Sequence, residues 1–358
     1  MKIAIFHDYI GTIGGGEKLV LTLARELKAD VITTDVDKDS VRKMEFEDIN
    51  IISLGDTIKL PPLKQISASI KFALCDYSTI YDFFIFSGNW AYFAAKRHKP
   101  NLLYCHTPVR AFYDTYDILF QRQSLTIKPI FAIWVAIHRR ISEHYMNYVE
   151  RIVANSINTQ SRIKKYLNMD SKVVYPPVDT MTYNFKEFGD FWLSINRLYQ
   201  EKRIDLQIEV FRSIPDKKLV MVGGFTEGDH SSKYVEKIKS DLPENVELRS
   251  EISEKELVDL YSKCKGFITV AIDEDFGMTP VEAMASGKPV ICTKEGGYVE
   301  TVINGKTGIF VKPEISEIVD AINVISKDPN KFKEECIKRS KCFDSNMFVE
   351  RMKKEIFG

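Results

Sequence analysis

The sequence predicts an α/β fold of two Rossmann-like domains, each a parallel sheet covered on both faces by helices. Three observations predict it. Short β-branched, apolar runs alternate with segments of helical period from one end of the chain to the other. The alternation restarts after Tyr175-Pro176-Pro177. With 358 residues the chain is too long for one ordinary core and suits two domains of ~150–180 residues each.

In the first half, residues 2–6, 31–34, 50–54, 83–86, 101–105 and 151–154 read as buried strands, because each is apolar on both faces and too short for a helix. Between them 17–27, 90–97 and 137–149 repeat apolar residues at helical spacing. A double proline continues neither a central strand nor a helix, so the hinge is expected at Pro176-Pro177. That places one domain at 1–175 and a second at 176–344. In the second, 191–195, 218–222, 246–248, 266–270, 289–292 and 308–311 read as strands, and 202–213, 231–239, 254–263 and 315–325 as helices. An amphipathic helix within 345–358 is expected to close the chain, packing back on the first domain or on the second.

Fifty basic and fifty acidic side chains cancel, so the basic excess of a nucleic-acid binder is missing. Hydrophobic residues at 44% against 28% charged ones place the chain among globular rather than disordered proteins. The six cysteines are scattered with no C-x-x-C pair, which argues against a zinc site or disulfide framework and for a reducing compartment. No charged-then-apolar leader opens the sequence, and the longest apolar run, 129–137, falls far short of the ~20 residues of a membrane span. The expectation is a cytoplasmic protein, free or resting on the inner face of a membrane.

Ligands of doubly wound sheets sit beyond the carboxyl ends of the strands, and there the sequence becomes unusual. After the first strand, Gly14-Gly15-Gly16 precedes a helix. Consecutive glycines let backbone N–H groups approach an anion at a helix start, although a flexible turn has the same composition. Asp35, about 20 residues on, ends the second strand as in a dinucleotide-binding unit. At the end of 191–195 stands Asn196-Arg197-Leu198-Tyr199-Gln200-Glu201-Lys202-Arg203. A guanidinium and an ammonium there can neutralise charge gathering on a departing diphosphate without a metal.

The most informative stretch is 273–287, with Glu274 eight residues before Glu282. Thr279 suits a helix N-cap, Pro280 the first helical position and Gly287 the stop, which would make Glu282 the far side of a capping box. The cap does not require Glu274. Two carboxylates bracketing a helix start offer acceptors to sugar hydroxyls beside N–H donors for phosphate. Lys294-Glu295-Gly296-Gly297-Tyr298-Val299-Glu300 is a further strand, glycine pair and helix start. His106, in Tyr104-Cys105-His106-Thr107-Pro108, ends a first-domain strand, where a histidine can be an ordinary satisfied loop residue or a functional one.

Together these motifs resemble the retaining glycosyltransferases of family 4, which have the GT-B fold, and the likeness runs through nearly the whole chain. Glu274-x7-Glu282 is similar to that family's E-x7-E element, and Arg197-Leu198 through Lys202 to its R-L-x-x-x-K element. Tyr175-Pro-Pro-Val-Asp179 and Cys105-His-Thr-Pro108 are most similar to the bacterial and archaeal mannosyltransferase branch, which builds O-antigen-like or lipid-linked glycans. Asn196 departs from the Gly or Ser of many relatives, beside the motif rather than in it.

The resemblance implies two Rossmann-like domains facing each other across a cleft. It implies transfer of a hexose, mannose by expectation, from a nucleotide-diphosphate sugar, GDP-mannose by preference, to a glycan or polyprenyl-linked acceptor, with no metal and no cofactor. By the same resemblance Arg197 and Lys202 hold the donor diphosphate, helped by the N–H groups of Gly277, Met278 and Thr279. Glu282 accepts from ribose hydroxyls, Glu274 contacts the hexose, and His106 lies near its reactive carbon or 6-hydroxyl. Gly15 and Gly16 pack against the phosphate from the first domain. Nucleobase recognition is expected around 249–251.

The segment 124–140 mixes aliphatic, aromatic and basic residues as interfacial helices do, and is expected either to touch a membrane or to be a buried helix of the first domain. Two other functions fit parts of the sequence. A nicotinamide-dependent oxidoreductase would use Gly14–Gly16 and Asp35 but leaves Arg197, Lys202 and the paired glutamates without a role. A nucleotide-sugar epimerase of the same architecture would turn over donor with no acceptor.

Overall fold

The structure is a computed structural model that describes all residues except 12–13, 225–231 and 251, and leaves out the side chains of 232–233. The chain divides into two compact units, Met1–Tyr175 with Val349–Gly358, and Pro176–Phe348.

The first unit is built on a seven-stranded parallel sheet of β1 (Ile3–His7), β2 (Asp30–Thr33), β3 (Ile51–Ser53), β4 (Phe83–Ser87), β5 (Asn101–Cys105), β6 (Ile152–Ala154) and β7 (Lys172–Val173), ordered β3-β2-β1-β4-β5-β6-β7. The strand order reverses between β1 and β4, so the chain leaves these neighbours toward opposite faces and opens a crevice at their carboxyl ends. Register aligns His7 with Ser87 and Ser87 with Tyr104, which brings the ends of β1, β4 and β5 to one level. The central strands are buried throughout, as their unbroken apolar runs require.

Two helices differ from expectation. Residues 90–97 form a 3-10 turn, Ala91–Lys96, rather than an α-helix. Its first N–H groups are held by Asp8: the carboxylate accepts from Asn89 N at 2.6 Å and from Trp90 and Ala91 N at 2.8 Å each. The expected helix 137–149 begins much earlier and spans Lys128–Met146, with Pro129 in its first turn, where a missing N–H costs nothing. Val135, His138, Ser142 and Met146 face inward, while Ile130, Ile133, Ile137 and Ile141 lie exposed.

The second unit carries a six-stranded parallel sheet of β8 (Phe191–Ile195), β9 (Lys218–Val222), β10 (Val246–Arg249), β11 (Gly266–Thr269), β12 (Val290–Thr293) and β13 (Gly308–Val311), ordered β10-β9-β8-β11-β12-β13. Here the order reverses between β8 and β11, and its crevice lies where Arg197 and Glu274 follow those two strands. Trp192, Phe211 and Phe267 are fully buried in its core. The closing helix, Ser345–Phe357, begins in this unit and ends in the first, where the Glu355 carboxylate meets Lys172 at 2.8 Å and its carbonyl accepts from Arg151. Among the described residues no helix is long and apolar enough to cross a membrane.

Candidate active site

In the second unit the chain leaves β8 at Asn196 and makes a 3-10 turn, Gln200–Lys202. Ile272 N donates to the Glu201 carbonyl at 2.8 Å, tying this turn to the loop after β11. The tie brings Lys202 to Glu274: Nζ and Oε2 are 2.5 Å apart, with side chains 24% and 19% exposed. Arg203 follows Lys202 directly and adds a second guanidinium to the turn. That guanidinium turns inward, donating to the Val270 carbonyl at 2.9 Å and pairing with Glu295 at 3.2 Å, and it builds the loop rather than offering charge. Arg197 stands exposed, and among the described residues nothing pairs with its guanidinium.

The Glu274 loop is fixed from below. Gly297 N donates to the Glu274 carbonyl at 2.7 Å. A Cβ on Gly296 would collide with the Glu274 backbone, and one on Gly297 with Phe276. The glycine pair after β12, which in sequence looks like an anion loop, is therefore where two backbones touch. Asp273 N reaches Glu295 Oε2 at 3.3 Å, so the same carboxylate serves Arg203 and this loop.

The helix that follows spans Met278–Ala285. It corrects the expected capping box: Gly277, at φ +88°, is the N-cap, and Thr279 already lies in the first turn. A Thr279 cap is not available, because the left-handed turn at Gly277 starts the helix early. Glu282 is held instead by a distant residue. The hydroxyl of Tyr261, fully buried, donates to Glu282 Oε2 at 2.6 Å, and Tyr183 packs edge-on against Tyr261 at 5.4 Å. Burial, then the Glu282 charge, pushes both phenols well above their ordinary range. Gly287, at φ +68°, ends the helix as its position in sequence predicts.

Tyr298 is the other unforeseen residue. It is buried, its hydroxyl shares a 2.6 Å hydrogen bond with Thr269 Oγ1, and its ring lies under Gly277. Neither tyrosine leaves a local signal. Tyr261 is 21 residues from Glu282, and Tyr298 stands between a glycine pair and a glutamate that each have local explanations.

In the first unit, His106 follows β5 and its Nε2 lies 2.9 Å from Ser87 Oγ. Gly16 lies over it: a Cβ there would rest 3.9 Å from His106 Cε1. Gly15 and Gly16 open the helix Gly15–Leu27, with Gly14 as its extended N-cap. Burial, reinforced by neighbouring His7, pushes the His106 imidazole down to about 3. His7 donates from Nδ1 to the Ser87 carbonyl at 3.2 Å, and burial brings it down to about 4. Both rings are neutral at physiological pH. Asp8 lies at the same switch point, where burial pushes it up to about 6 against three N–H bonds that favour its charge. A carboxylate directly after the first strand was the signal for it.

Asp35 is not open to a ribose. Its carboxylate accepts from Thr57 N at 3.0 Å and from the Thr57 hydroxyl at 2.5 Å, and pairs with Lys59. This removes the acidic residue on which the oxidoreductase reading rests. Of the expected nucleobase contact, residue 251 lies outside the described residues, as do 12–13 of the first glycine loop. Arg249 pairs with Glu247 and Glu256.

Two Rossmann-like units, one with cations and carboxylates around a helix start at its switch point, define a transferase of the GT-B class. Residues 13–181 match the model for Glycosyltransferase Family 4, and 182–342 that for glycosyl transferases group 1. The chain belongs to glycosyltransferase family 4. The α-1,3/1,6-mannosyltransferase ALG2 of Dictyostelium discoideum is 26% identical over 92% of this chain and 90% of its own length. That of Candida glabrata is 28% identical over 95% and 88%. The O-antigen chain mannosyltransferase RfbU of Salmonella typhimurium is 29% identical over 46% of this chain and 47% of its own. Among solved structures, Anabaena HepE in complex with UDP and glucose superposes with a TM-score of 0.78 at 19% identity, covering 99% of both chains.

Proposed function

We propose that this glycosyltransferase moves mannose from GDP-mannose to a hydroxyl of a glycan or polyprenyl-linked acceptor, with retention of configuration and without a metal. The observation that carries the reading is the meeting of Lys202 with Glu274 beside the start of the helix Met278–Ala285, with Arg197 exposed on the same loop. The mannosyl assignment draws on ALG2 and RfbU, which are named as mannosyltransferases. The nucleotide-diphosphate donor draws on HepE, a fold relative whose structures hold UDP and UDP-glucose.

The bond between the hexose anomeric carbon and the β-phosphate oxygen breaks through an oxocarbenium-like state. The acceptor oxygen bonds to that carbon on the same face, and its proton passes to the departing phosphate. Lys202 and Arg197 act on the charge that grows on the leaving diphosphate, with the N–H groups of Gly277, Met278 and Thr279 beside them. Glu282, braced by Tyr261, accepts from the ribose and Glu274 from the hexose. His106, neutral, hydrogen-bonds a sugar hydroxyl, with Gly16 leaving room above it.

Replacing Arg197 and Lys202 together by alanine should lower kcat by about 10²–10³ and donor affinity far less. Unchanged turnover refutes the assignment. In a thermal-shift panel GDP-mannose should protect more than UDP-glucose, since ligand at ~100 times its Kd adds about 2.7 kcal/mol. An epimerase would instead consume donor with no acceptor present.

We place the enzyme in a reducing, cytoplasmic setting, a reading supported by six free cysteines, one of them the exposed Cys342. The segment 124–140 is its proposed peripheral membrane contact. The exposed isoleucines of the helix Lys128–Met146 form its ridge, and residues 118–142 hold Arg122, Lys128, Arg139 and Arg140 but no acidic residue. Flotation with vesicles rich in phosphatidylglycerol should carry the protein upward; Ile133→Glu with Ile137→Glu should abolish this, and wild-type protein left at the bottom refutes the contact.

A further inference from the structure

The Lys202 ammonium is engaged by a carboxylate that has its own part in the reaction. Nζ lies 2.5 Å from Glu274 Oε2, and the Tyr298 hydroxyl approaches the same oxygen at 3.5 Å. The backbones that carry both side chains are held in place. The Lys202 turn is pinned by the bond from Ile272 N to Glu201 O, and the Glu274 backbone by its contacts with Gly296 and Gly297. Two backbones fixed at this separation keep the partners within reach, so that closing the pair costs side-chain rotamer freedom alone.

The partners suit opposite ends of a sugar nucleotide. An ammonium donates to phosphate oxygens, whereas a carboxylate accepts from sugar hydroxyls. We propose that Glu274 is a resident counter-ion for Lys202, displaced by the donor, and that this exchange makes the site favour intact nucleotide-sugar over spent nucleoside diphosphate. An intact donor breaks the pair and gives both halves new partners, phosphate for Lys202 and hexose hydroxyls for Glu274. A nucleoside diphosphate alone breaks the same pair, rehouses only the lysine and leaves a part-buried carboxylate beside added negative charge. Once the hexose has moved to the acceptor, Glu274 reclaims Lys202 and drives the diphosphate out. Glu274 thus works on product release as well as on the sugar.

The inference rests on Lys202 as a diphosphate ligand, and the test separates the two. Affinity for GDP and UDP is measured by titration calorimetry at fixed ionic strength for wild type, Glu274→Gln, Lys202→Met and the double variant. The exchange requires Glu274→Gln, which keeps shape and loses charge, to bind the diphosphates about fivefold tighter, the fold-change of a modest ion pair. Its preference for GDP-mannose over GDP should shrink. Lys202→Met should bind more weakly, and adding Glu274→Gln to it should recover clearly less than the fivefold seen with the lysine present, since relief of charge repulsion remains but no ammonium is left to release. If Glu274→Gln binds GDP no better than wild type while Lys202→Met binds worse, the exchange is overturned and the diphosphate assignment stands. A gain undiminished without Lys202 marks a general charge effect and also overturns the exchange. If Lys202→Met binds both diphosphates as wild type does, the underlying assignment goes, and the inference with it.

Discussion

Alanine at Gly277 should damage the second unit through two separable terms. The first is backbone strain. At φ +88° and ψ 76° a residue with a Cβ pays ~1–2 kcal/mol that glycine does not. The second is steric: the new Cβ would lie 2.8 Å from Tyr298 Cε1 and 2.9 Å from Cδ1, several tenths of an ångström inside normal contact. Tyr298 has nowhere to go, being 1% exposed and hydrogen-bonded to Thr269 at 2.6 Å, so relief means overpacking at ~1–3 kcal/mol. Gly277→Ala is therefore expected to cost ~2–5 kcal/mol in total. Placing it on a Tyr298→Ala background should remove the steric part and leave ~1–2 kcal/mol, giving a coupling of ~1–3 kcal/mol. Hydrogen exchange at the amides of β11 and β12 reads this unit without interference from the other. If Gly277→Ala is as stable as wild type, or costs the same with and without the tyrosine ring, the account of this turn is wrong.

Gly16→Ala should separate function from stability in the opposite sense. The added methyl meets His106 only at 3.9 Å, and alanine gains up to about 1 kcal/mol over glycine in a helix, so the melting temperature should hold or rise. Turnover should fall about tenfold as the space over His106 narrows, by analogy with a misplaced reacting group; full activity refutes a substrate at this spot. Acid should destabilise the protein through its buried histidines. His7 and His138 are both brought down to about 4 by burial, so below pH 6.5 the unfolded chain takes protons that the folded one refuses. Each then forfeits about 2 kcal/mol between pH 7 and 5. Asp8, raised to about 6, works the other way, its contribution greatest in acid and lost as pH rises through 6. With His106, brought down to about 3, acting in the same direction, three histidines outweigh one aspartate, and a urea midpoint at pH 5 equal to that at pH 7 would contradict the balance. The pH profile of kcat should show no limb near 6.5 that His106→Asn removes, because the ring at about 3 is neutral across the working range.

What the sequence revealed and what it hid divide along a physical line. Strands were legible because a sheet buried on both faces leaves continuous apolar runs; 101–105, 191–195, 218–222 and 308–311 coincide with β5, β8, β9 and β13. The short β7, at Lys172–Val173, was missed because two residues at a sheet edge carry no pattern. Lys202 and Glu274 were each legible as candidates, being charged residues just past strand ends, but their pairing was not, since it depends on two loops 72 residues apart. The same limit hid the Tyr261 hydroxyl behind Glu282. Composition misled where one residue type serves two purposes. Gly296 and Gly297 resemble an anion loop yet serve a backbone crossing, and Thr279 and Glu282 spell a capping box that Gly277 makes impossible by starting the helix sooner.

The two units keep different kinds of polar group at their switch points, and the difference follows from what each must handle. The second unit gathers full charges, Arg197, Lys202, Glu274 and Glu282, because its proposed ligand includes a diphosphate whose negative charge grows during reaction. At the first unit's switch point burial keeps His7 and His106 neutral, and Asp8 spends its charge on three backbone N–H groups. An imidazole brought down to about 3 is too weak a base to take a proton from an acceptor hydroxyl at neutral pH. It can still hold that hydroxyl, or one on the hexose, at a fixed angle. His106 then does not take the proton, and in the proposed chemistry it passes to the phosphate oxygen freed as the glycosidic bond breaks. Under the proposed mechanism, neutral positioning in the first unit and charge compensation in the second both suit a leaving group that serves as the base.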